Sequence, residues 1–202
     1  MSEPRLQPEI IAALPRISVI IPAFNEEKII ASVVHRVRQA LDDLPETYEV
    51  LVIDDGSSDA TAAEASAAGA RVYSHPYNIG NGAAVKSGIR HARGEMMVMM
   101  DGDGQHRPED MPKLIQGLDR YDMVVGARTR ASKTSWHRDL ANMFYNAFAS
   151  YVCGRRIFDL TSGFRAVRSA IARELLPLLP NSFSYPTTIT LAVVRSGYSL
   201  LY

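Results

Sequence analysis

Short apolar runs alternate along the chain with longer segments in which apolar residues recur every three to four positions. Residues 17–22 (ISVIIP) form a continuous, largely β-branched run, and residues 29–41 then carry apolar side chains at helical spacing. The same alternation predicts further strands at 49–53, 71–73, 96–100 and 123–125, and helices at 60–68, at 83–91 and after Pro108. Uninterrupted apolar strands between helices indicate an α/β fold with a mainly parallel central sheet flanked by helices.

The alternation ends near residue 128, and a different pattern follows. Residues 136–153 place apolar side chains on one helical face, which predicts a long amphipathic helix that packs on the core or, alternatively, rests in a bilayer interface. A compact segment at 159–165 comes next, then a short leucine-rich helix and a final helix around 188–194. The chain has 202 residues, of which 47% are hydrophobic. This length and composition predict one domain over 16–202 and an N-terminal extension over 1–15.

Composition limits the classes of partner. Lys and Arg together number 22, as do Asp and Glu, so no overall field attracts nucleic acid, and none is expected as a partner. Cys153 is the only cysteine, which excludes a disulfide framework and a cysteine-rich zinc site. Residues 1–16 lack an apolar signal segment, and the longest apolar stretches fall far short of the roughly 20 residues of a membrane-spanning helix. The chain is therefore expected to be cytoplasmic and to meet any membrane only at its surface.

Polar segments follow the predicted strands. In parallel α/β sheets, ligands bind beyond the carboxyl ends of the strands. Carboxylates, amides or glycines follow four successive strands, at 22–27 (PAFNEE), 54–59 (DDGSSD), 78–82 (NIGNG) and 101–106 (DGDGQH). These segments form the candidate site.

The segment after the fourth strand carries two carboxylates, Asp101 and Asp103. Strand geometry would project both to the same side, where they repel each other unless a cation lies between them. Oxygen ligands favour Mg²⁺ or Mn²⁺, with a diphosphate completing the coordination shell. Alternatively, the two aspartates form a solvated turn with Gly102 and Gly104. The five histidines lack zinc-ligand spacing, and most are expected at the surface; His106 alone falls in this segment.

The other strand ends also have two interpretations. Asp55 can accept hydrogen bonds from a ribose hydroxyl or a base N–H, whereas Asp59 is better explained as a cap of the next helix. Gly80 and Gly82 open a helix, and because they have no side chains, backbone N–H groups there can approach an anion. Lys86 lies one turn further into the helix. Taken alone, this glycine pattern is a weak signal, because it matches neither a P-loop nor a dinucleotide-binding motif.

The order of the motifs identifies a family. IPAFNEE, DDGSSDAT, NIGNGAAVKSG, MDGDGQHRPE, VVGAR and DLTSGFRA occur in register over residues 17–202. The chain resembles family 2 glycosyltransferases of the GT-A (Rossmann-like, nucleotide-diphospho-sugar transferase) fold, most closely the dolichol-phosphate mannose synthase-like or polyprenyl-phosphate glycosyltransferase branch. The resemblance implies an inverting, metal-dependent enzyme. It would move a hexose from a nucleotide diphosphate sugar, GDP-mannose or a UDP-sugar, to a polyprenyl or dolichyl phosphate at the cytoplasmic face of a membrane.

The resemblance also implies roles for residues of each motif. Those bordering the nucleoside would be Pro22, Ala23, Asn25, Glu26 and Asp55. Those holding the metal, Mg²⁺ or Mn²⁺, would be Asp101, Asp103 and Gln105, with Asp101 and Gly102 also against the donor. Those lining the donor pocket would be Asn78, Gly80, Gly82 and Lys86. Those facing the donor phosphates and the acceptor would be Arg128, Arg138, Asp159, Ser162 and Arg165.

Three of these residues are expected to take part in the chemistry. Asp103 would act through the metal, Arg165 would hold the acceptor phosphate together with Arg138, and Asp159 would serve as a general base if the acceptor were a hydroxyl. The chain departs from many relatives at Phe24, where tyrosine is common. It also stops at the approach to a further strand, so a domain truncated at its C-terminus is expected.

Three other functions remain open from the sequence. One is transfer to a saccharide hydroxyl rather than to a lipid phosphate. Another is a non-catalytic paralogue that only binds nucleotide sugars. The third is a haloacid dehalogenase-like phosphatase, which also uses two aspartates after a strand; its motif follows the first strand, whereas Asp101 follows the fourth.

Overall fold

The computed structural model describes residues 14–127, 150 and 157–202. In this part of the chain, seven strands form one sheet. They are β1 (Ile17–Ala23), β2 (Tyr48–Asp54), β3 (Arg71–Ser74), β4 (Met96–Met99), β5 (Met123–Val125), β6 (Arg165–Arg168) and β7 (Leu200–Leu201). The order across the sheet is β3-β2-β1-β4-β6-β5-β7, and β6 alone runs antiparallel to its neighbours, β4 and β5. The predicted α/β fold with a mainly parallel sheet is confirmed.

Helices cover both faces of the sheet. They are α1 (Ile30–Leu41), α2 (Thr61–Ala67), α3 (Asn81–His91), α4 (Met111–Gly117), α5 (Ser169–Leu175) and α6 (Tyr185–Arg195), with 3₁₀ turns at Pro108–Asp110 and Leu176–Leu178. Side chains of β1 alternate between two cores, because successive residues of a strand point to opposite faces. Val19 and Ile21 pack with α1 and α4, whereas Ile20 packs with α3, α5 and α6. Within the described ranges, no helix combines the length and the apolar character needed to cross a bilayer.

Within the described residues, the predicted elements are present, with two differences in the C-terminal part. The sequence placed Arg165 in a compact segment before a helix, whereas the structure begins β6 there, in the gap between β4 and β5. The last helix begins at Tyr185 rather than near residue 188, because Pro186 is well suited to a first helical turn. The amphipathic segment predicted over 136–153 lies outside the described residues, apart from Ser150.

Parallel pairing brings four strand ends to one edge of the sheet. β1 pairs in parallel with β2 and with β4, and β2 pairs in parallel with β3. Backbone hydrogen bonds extend this register past the strands, since Asp55 N donates to Ala23 O at 2.8 Å and Gly102 N donates to Pro22 O at 3.2 Å. The polar segments that follow β1, β2, β3 and β4 are therefore neighbours in space.

Candidate active site

A cavity of about 880 Å³ opens at the carboxyl edge of β1, β2 and β4. Two further segments, around residues 161–163 and 183–186, close its remaining sides. Ten of the residues predicted for the site line it: Pro22, Ala23, Glu26, Asp55, Asn78, Gly80, Asp101, Gly102, Asp103 and Gln105. Residues from four separate motifs are thus brought together at one cavity.

The other predicted residues lie around the cavity or beyond the described ranges. Those near the cavity without lining it are Asn25, Gly82, Lys86, Asp159, Ser162 and Arg165. Arg128 and Arg138 lie outside the described residues. Asn25 has φ 55 and joins the first two strand ends, because its Oδ1 accepts the N–H of Ser58 at 2.9 Å.

One wall of the cavity is held by hydrogen bonds to the buried carboxylate of Asp55. Its Oδ1 accepts from His75 Nδ1 at 2.6 Å and from Ile79 N at 3.0 Å, and its Oδ2 accepts from Gly80 N at 2.7 Å. His75 Nε2 in turn lies 2.8 Å from Ser87 Oγ, on α3. Most of the histidines were expected at the surface, and His75 is an exception, since it is 8% exposed. We call Asp55, His75, Ile79 and Gly80 the hydrogen-bonded wall.

The glycines at the start of α3 allow a close approach of backbone. A Cβ on Gly80 would lie 2.6 Å from Asn181 O, and one on Gly82 would lie 2.3 Å from Pro180 O. Ala83 N donates to Asn181 O at 3.2 Å, and Lys86 Nζ donates to Asn181 Oδ1 at 2.9 Å. The positive end of the helix therefore faces the Asp55 carboxylate and a carbonyl group of the protein itself, both of which satisfy free N–H groups.

A second part of the lining carries three carboxylates, and we call Glu26, Asp101 and Asp103 the acidic wall. Asp103 is exposed, and its Oδ1 accepts Gln105 N at 3.0 Å. This contact, with Gly104 at φ 72, is the turn that the sequence offered as an alternative, and the same turn lines the cavity. Burial, followed by the negative charges of Asp103 and Asp59, raises the pKa of Glu26.

Asp101 is the most enclosed of the three. Its Oδ2 lies 3.3 Å from His106 Nε2 and its Oδ1 lies 3.4 Å from Asn81 Nδ2. Burial acts to raise the pKa of Asp101, but the His106 and Asn81 hydrogen bonds and the positive charges of His106 and Arg165 outweigh it, so the pKa is lowered. Asp101 is therefore ionised at neutral pH.

The donor set of the acidic wall fits a divalent cation shared with a ligand. Among the residues that the structure describes, no three His, Cys, Asp or Glu side chains are grouped closely enough to hold a metal by themselves. Mg²⁺ is usually held by one or two carboxylates, with phosphate and water oxygens completing its shell. Asp101, Asp103 and Gln105, which all line the cavity, offer two carboxylates and an amide oxygen of this kind.

The segment at 159–165 makes hydrogen bonds that hold residues of the cavity lining in place. Asp159 Oδ1 accepts Thr161 N and Ser162 N, both at 3.1 Å, while Ser162 Oγ donates to Gly126 O at 2.7 Å. The fully buried guanidinium of Arg165 donates to Pro186 O at 2.9 Å, to Thr190 Oγ1 at 3.0 Å and to Ser162 O. These bonds fix Thr161 and Pro186, which do line the cavity.

Sequence reasoning missed several residues that line the cavity. They are Asn81, Ala84, Thr161, Gly163, Phe183, Tyr185 and Pro186. Asn81 Oδ1 and the Tyr185 hydroxyl are buried and have no hydrogen-bond partner among the described residues. Asn81 stands inside the glycine-rich motif and could have been found there, whereas nothing in the sequence around Tyr185 connects it to the strand ends.

Comparison with known proteins identifies the family. The profile of glycosyl transferase family 2 matches residues 18–176. The chain is 31% identical over 186 residues to an undecaprenyl-phosphate 4-deoxy-4-formamido-L-arabinose transferase of Edwardsiella ictaluri, covering 85% of this chain and 57% of the relative. It is 33% identical over 189 residues to the protein of the same name from Aeromonas hydrophila, covering 85% and 57%. The chain thus spans little more than half the length of these curated relatives.

A solved structure has a similar fold. Glucosyl-3-phosphoglycerate synthase from Mycobacterium tuberculosis, in complex with Mn²⁺ and UDP-glucose, superposes with a TM-score of 0.75 at 25% identity, covering 93% of this chain and 68% of that one. The family resemblance inferred from the motifs is therefore confirmed. The chain belongs to glycosyl transferase family 2.

Proposed function

We propose that this protein transfers a sugar from a nucleotide diphosphate sugar to a polyprenyl phosphate. The observation that carries the proposal is one cavity lined both by a fixed acceptor, Asp55, and by two carboxylates, Asp101 and Asp103, that can share a cation with a ligand. A nucleotide diphosphate sugar needs both features, because its nucleoside offers N–H and O–H donors and its diphosphate requires positive charge. Relatives named for undecaprenyl phosphate support the choice of acceptor.

Two residues of the acidic wall, Asp101 and Asp103, would hold the metal, Mg²⁺ or Mn²⁺, together with Gln105. The M. tuberculosis structure was obtained with Mn²⁺ and UDP-glucose, which supports a divalent cation. When bound, the cation supplies a positive charge that stabilises the diphosphate as it leaves. Burial is the main cause of the raised pKa of Glu26, and the charges of Asp103 and Asp59 add to it, so a cation on this wall would also offset negative charge beside Glu26.

The remaining residues would bind and orient the donor. We assign the nucleoside to Pro22, Ala23, Asn25, Glu26 and Asp55, and the rest of the donor pocket to Asn78, Gly80, Gly82, Lys86 and Gly102. Asp55 would accept one ligand N–H or O–H. Because Asp55 is held rigidly by three protein donors, it would position the nucleoside with little loss of conformational entropy.

The reaction would be a single displacement with inversion. An oxygen of the acceptor phosphate forms a bond to the anomeric carbon, while the bond from that carbon to the β-phosphate oxygen breaks and its electron pair leaves with the nucleoside diphosphate. A phosphate monoester has a second pKa of about 6, so it is ionised at neutral pH and needs no general base. Arg128 and Arg138 are assigned to the donor phosphates and the acceptor. Ser162 and Arg165 are buried, so they would act on these groups by holding the cavity-lining residues Thr161 and Pro186 in place.

Transfer to a hydroxyl acceptor is the second candidate. It is favoured by the name of the M. tuberculosis relative, glucosyl-3-phosphoglycerate synthase. Such an acceptor needs a base, for which Asp159 is the candidate. Asp159 is buried, and its Oδ1 accepts Thr161 N and Ser162 N. We therefore prefer the phosphate acceptor. Because a polyprenyl phosphate is a membrane lipid, we assign the reaction to the cytoplasmic face of a membrane.

The donor site is tested by titration calorimetry with UDP, GDP and their sugar conjugates, with and without Mn²⁺. One nucleotide is expected to bind only with the metal, and Asp103→Ala is expected to weaken that binding at least about 100-fold. Asp119→Ala is the matched control, because Asp119 is also exposed but lies in the turn between α4 and β5. If no nucleotide binds to the folded protein with or without Mn²⁺, the donor-site assignment is wrong.

The acceptor is tested separately with the nucleotide sugar that binds. Radiolabelled sugar is expected to appear on undecaprenyl phosphate in detergent micelles and not on saccharides or 3-phosphoglycerate. Transfer to a saccharide or to 3-phosphoglycerate alone would establish the hydroxyl acceptor instead. Tight donor binding without transfer to any acceptor would indicate a non-catalytic binding protein.

A further inference from the structure

His75 lies at the centre of a buried network that the proposed chemistry does not use. Its Nδ1 is 2.6 Å from Asp55 Oδ1 and its Nε2 is 2.8 Å from Ser87 Oγ. The side chains of His75 and Asp55 are only 5% and 4% exposed. A carboxylate has no hydrogen to donate when ionised, so Nδ1 of His75 is the donor in this contact.

The sheet register explains how residues 20 positions apart come together. Asp54, the last residue of β2, is paired in register with Ser74, the last residue of β3. Asp55 and His75 each follow a residue of this pair, and His75 N donates to Asp54 O at 2.8 Å. The backbone of His75 is therefore fixed at the strand end, and its ring is placed beside the Asp55 carboxylate.

The hydrogen bonds of Asp55 leave room for one more donor. A carboxylate offers about four lone-pair positions. Oδ1 uses two of them for His75 Nδ1 and Ile79 N, and Oδ2 uses one for Gly80 N. The remaining position belongs to Oδ2, so an acceptor for one ligand hydrogen is left on a residue that lines the cavity.

We propose that His75 is a positioning residue that fixes the orientation of Asp55 and, through it, the cavity wall at residues 79–80. By occupying Oδ1, the imidazole directs Oδ2 towards Gly80 N and the ligand. This inference rests on the proposed function in one respect, namely that Asp55 receives a hydrogen bond from the nucleoside. The orientation of the Ile79 and Gly80 backbone depends on His75 whether or not a nucleotide is bound.

Two substitutions of similar size separate the two bonds of the imidazole. His75→Asn keeps an N–H donor near the position of Nδ1, facing Asp55, and loses the contact with Ser87. His75→Gln reaches towards Ser87 and loses the donor to Asp55. His35→Gln, at an exposed position of α1, is the matched control. If His75 acted only through general stability, the two variants at position 75 would behave alike.

Two measurements are made on each variant. The first is amide hydrogen exchange of Ile79 and Gly80 in the free protein, which is expected to accelerate about tenfold in His75→Gln and much less in His75→Asn. The second is nucleotide affinity with Mn²⁺ by calorimetry, which is expected to fall about tenfold in His75→Gln and less than about threefold in His75→Asn and His35→Gln.

The outcomes separate the inference from the proposed function. Equal losses in His75→Asn and His75→Gln, or no loss in either, would overturn the positioning role. If the wild-type protein bound no nucleotide while the exchange pattern of Ile79 and Gly80 held, His75 would still position Asp55, and the nucleotide site would be the part that fails.

Discussion

Asp55 and Asp103 both follow buried strands at the same edge of the sheet, yet their surroundings are opposite. Asp55 is 3% exposed and accepts three hydrogen bonds from residues beyond its own turn. Asp103 is exposed, and its carboxylate accepts Gln105 N, within the same turn. The two walls of one cavity therefore use the same side chain in different ways.

The difference shows what each carboxylate can do. A carboxylate whose oxygens are mostly occupied by protein donors is rigid and can accept one further hydrogen from a ligand. A carboxylate with unoccupied oxygens, close to other negative charges, is suited to bind a cation. Replacing Asp55 should therefore lower the stability of the fold, whereas replacing Asp103 should weaken ligand binding and leave the stability of the fold nearly unchanged.

The largest expected effect on stability follows from Asp55→Asn. Asparagine replaces one carboxylate oxygen with an NH₂ group, which cannot accept the hydrogen bonds that this oxygen accepts. In addition, hydrogen bonds to a buried charged group contribute more to stability than neutral ones. The free energy of unfolding is expected to fall by about 3 kcal/mol. Urea unfolding followed by circular dichroism measures it.

Asp103→Asn provides the matched comparison. Because Asp103 is exposed, its substitution is expected to change the free energy of unfolding by less than about 0.5 kcal/mol. Equal losses in the two variants would mean that the hydrogen-bonded wall is no more important to the fold than the acidic wall.

The sequence was sufficient for most of the fold because β1, β2 and β4 of the parallel half contain apolar runs. β6 was missed for a physical reason. Its four residues, RAVR, begin and end with arginine, and no apolar run or alternation distinguishes them from a loop. Only the gap between β4 and β5 makes this segment a strand, and that gap depends on contacts distant in sequence.

The site was predictable where function and strand ends coincide, as at Asp55 and Asp101. His75 was missed because a single histidine after a strand carries no signal until the neighbouring strand is known. The pairing of β2 with β3 would have supplied it, since Asp54 and Ser74 are in register. Phe183 lies in the loop before α6 and Tyr185 is the first residue of that helix, and no local pattern connects either residue to the cavity.

Gly82→Ala tests the backbone support of the hydrogen-bonded wall. The added Cβ would lie 2.3 Å from Pro180 O and 2.5 Å from Ser182 O, and both are backbone atoms that cannot move independently. The gain in helix propensity, about 1 kcal/mol, is smaller than the expected cost of this overlap. Urea unfolding is expected to show a net loss of about 2 kcal/mol, and no loss would show that residues 180–182 are free to shift.

Tyr185→Phe is expected to have a smaller effect, in the opposite direction. The Tyr185 hydroxyl is buried without a partner among the described residues, so its removal relieves an unsatisfied polar group. Thermal unfolding is expected to show a gain of about 1 kcal/mol. Tyr198→Phe is the control, because the Tyr198 hydroxyl donates to Glu174 Oε2 at 2.6 Å and its loss should not stabilise the protein. A destabilised Tyr185→Phe variant would show that this hydroxyl has a partner in the folded protein.

The smallest expected effect comes from Glu26→Gln and concerns the burial of Glu26 and its repulsion by the acidic wall. Burial and the charge of Asp103 raise the pKa of Glu26 above its ordinary value of 4.5, so the folded protein holds this proton more tightly than the unfolded chain does. As the pH rises from 4.5 through the raised pKa, the wild-type protein should therefore lose stability relative to Glu26→Gln. Because Glu26 is partly open to solvent, the advantage of the variant at neutral pH is expected to be only about 0.3 kcal/mol. Urea unfolding of both proteins across this pH range, without metal, measures the difference, which should vanish below pH 4.5, where Glu26 is protonated in both states. A difference that stays constant with pH would mean that glutamine acts through packing and that folding does not raise the pKa of Glu26.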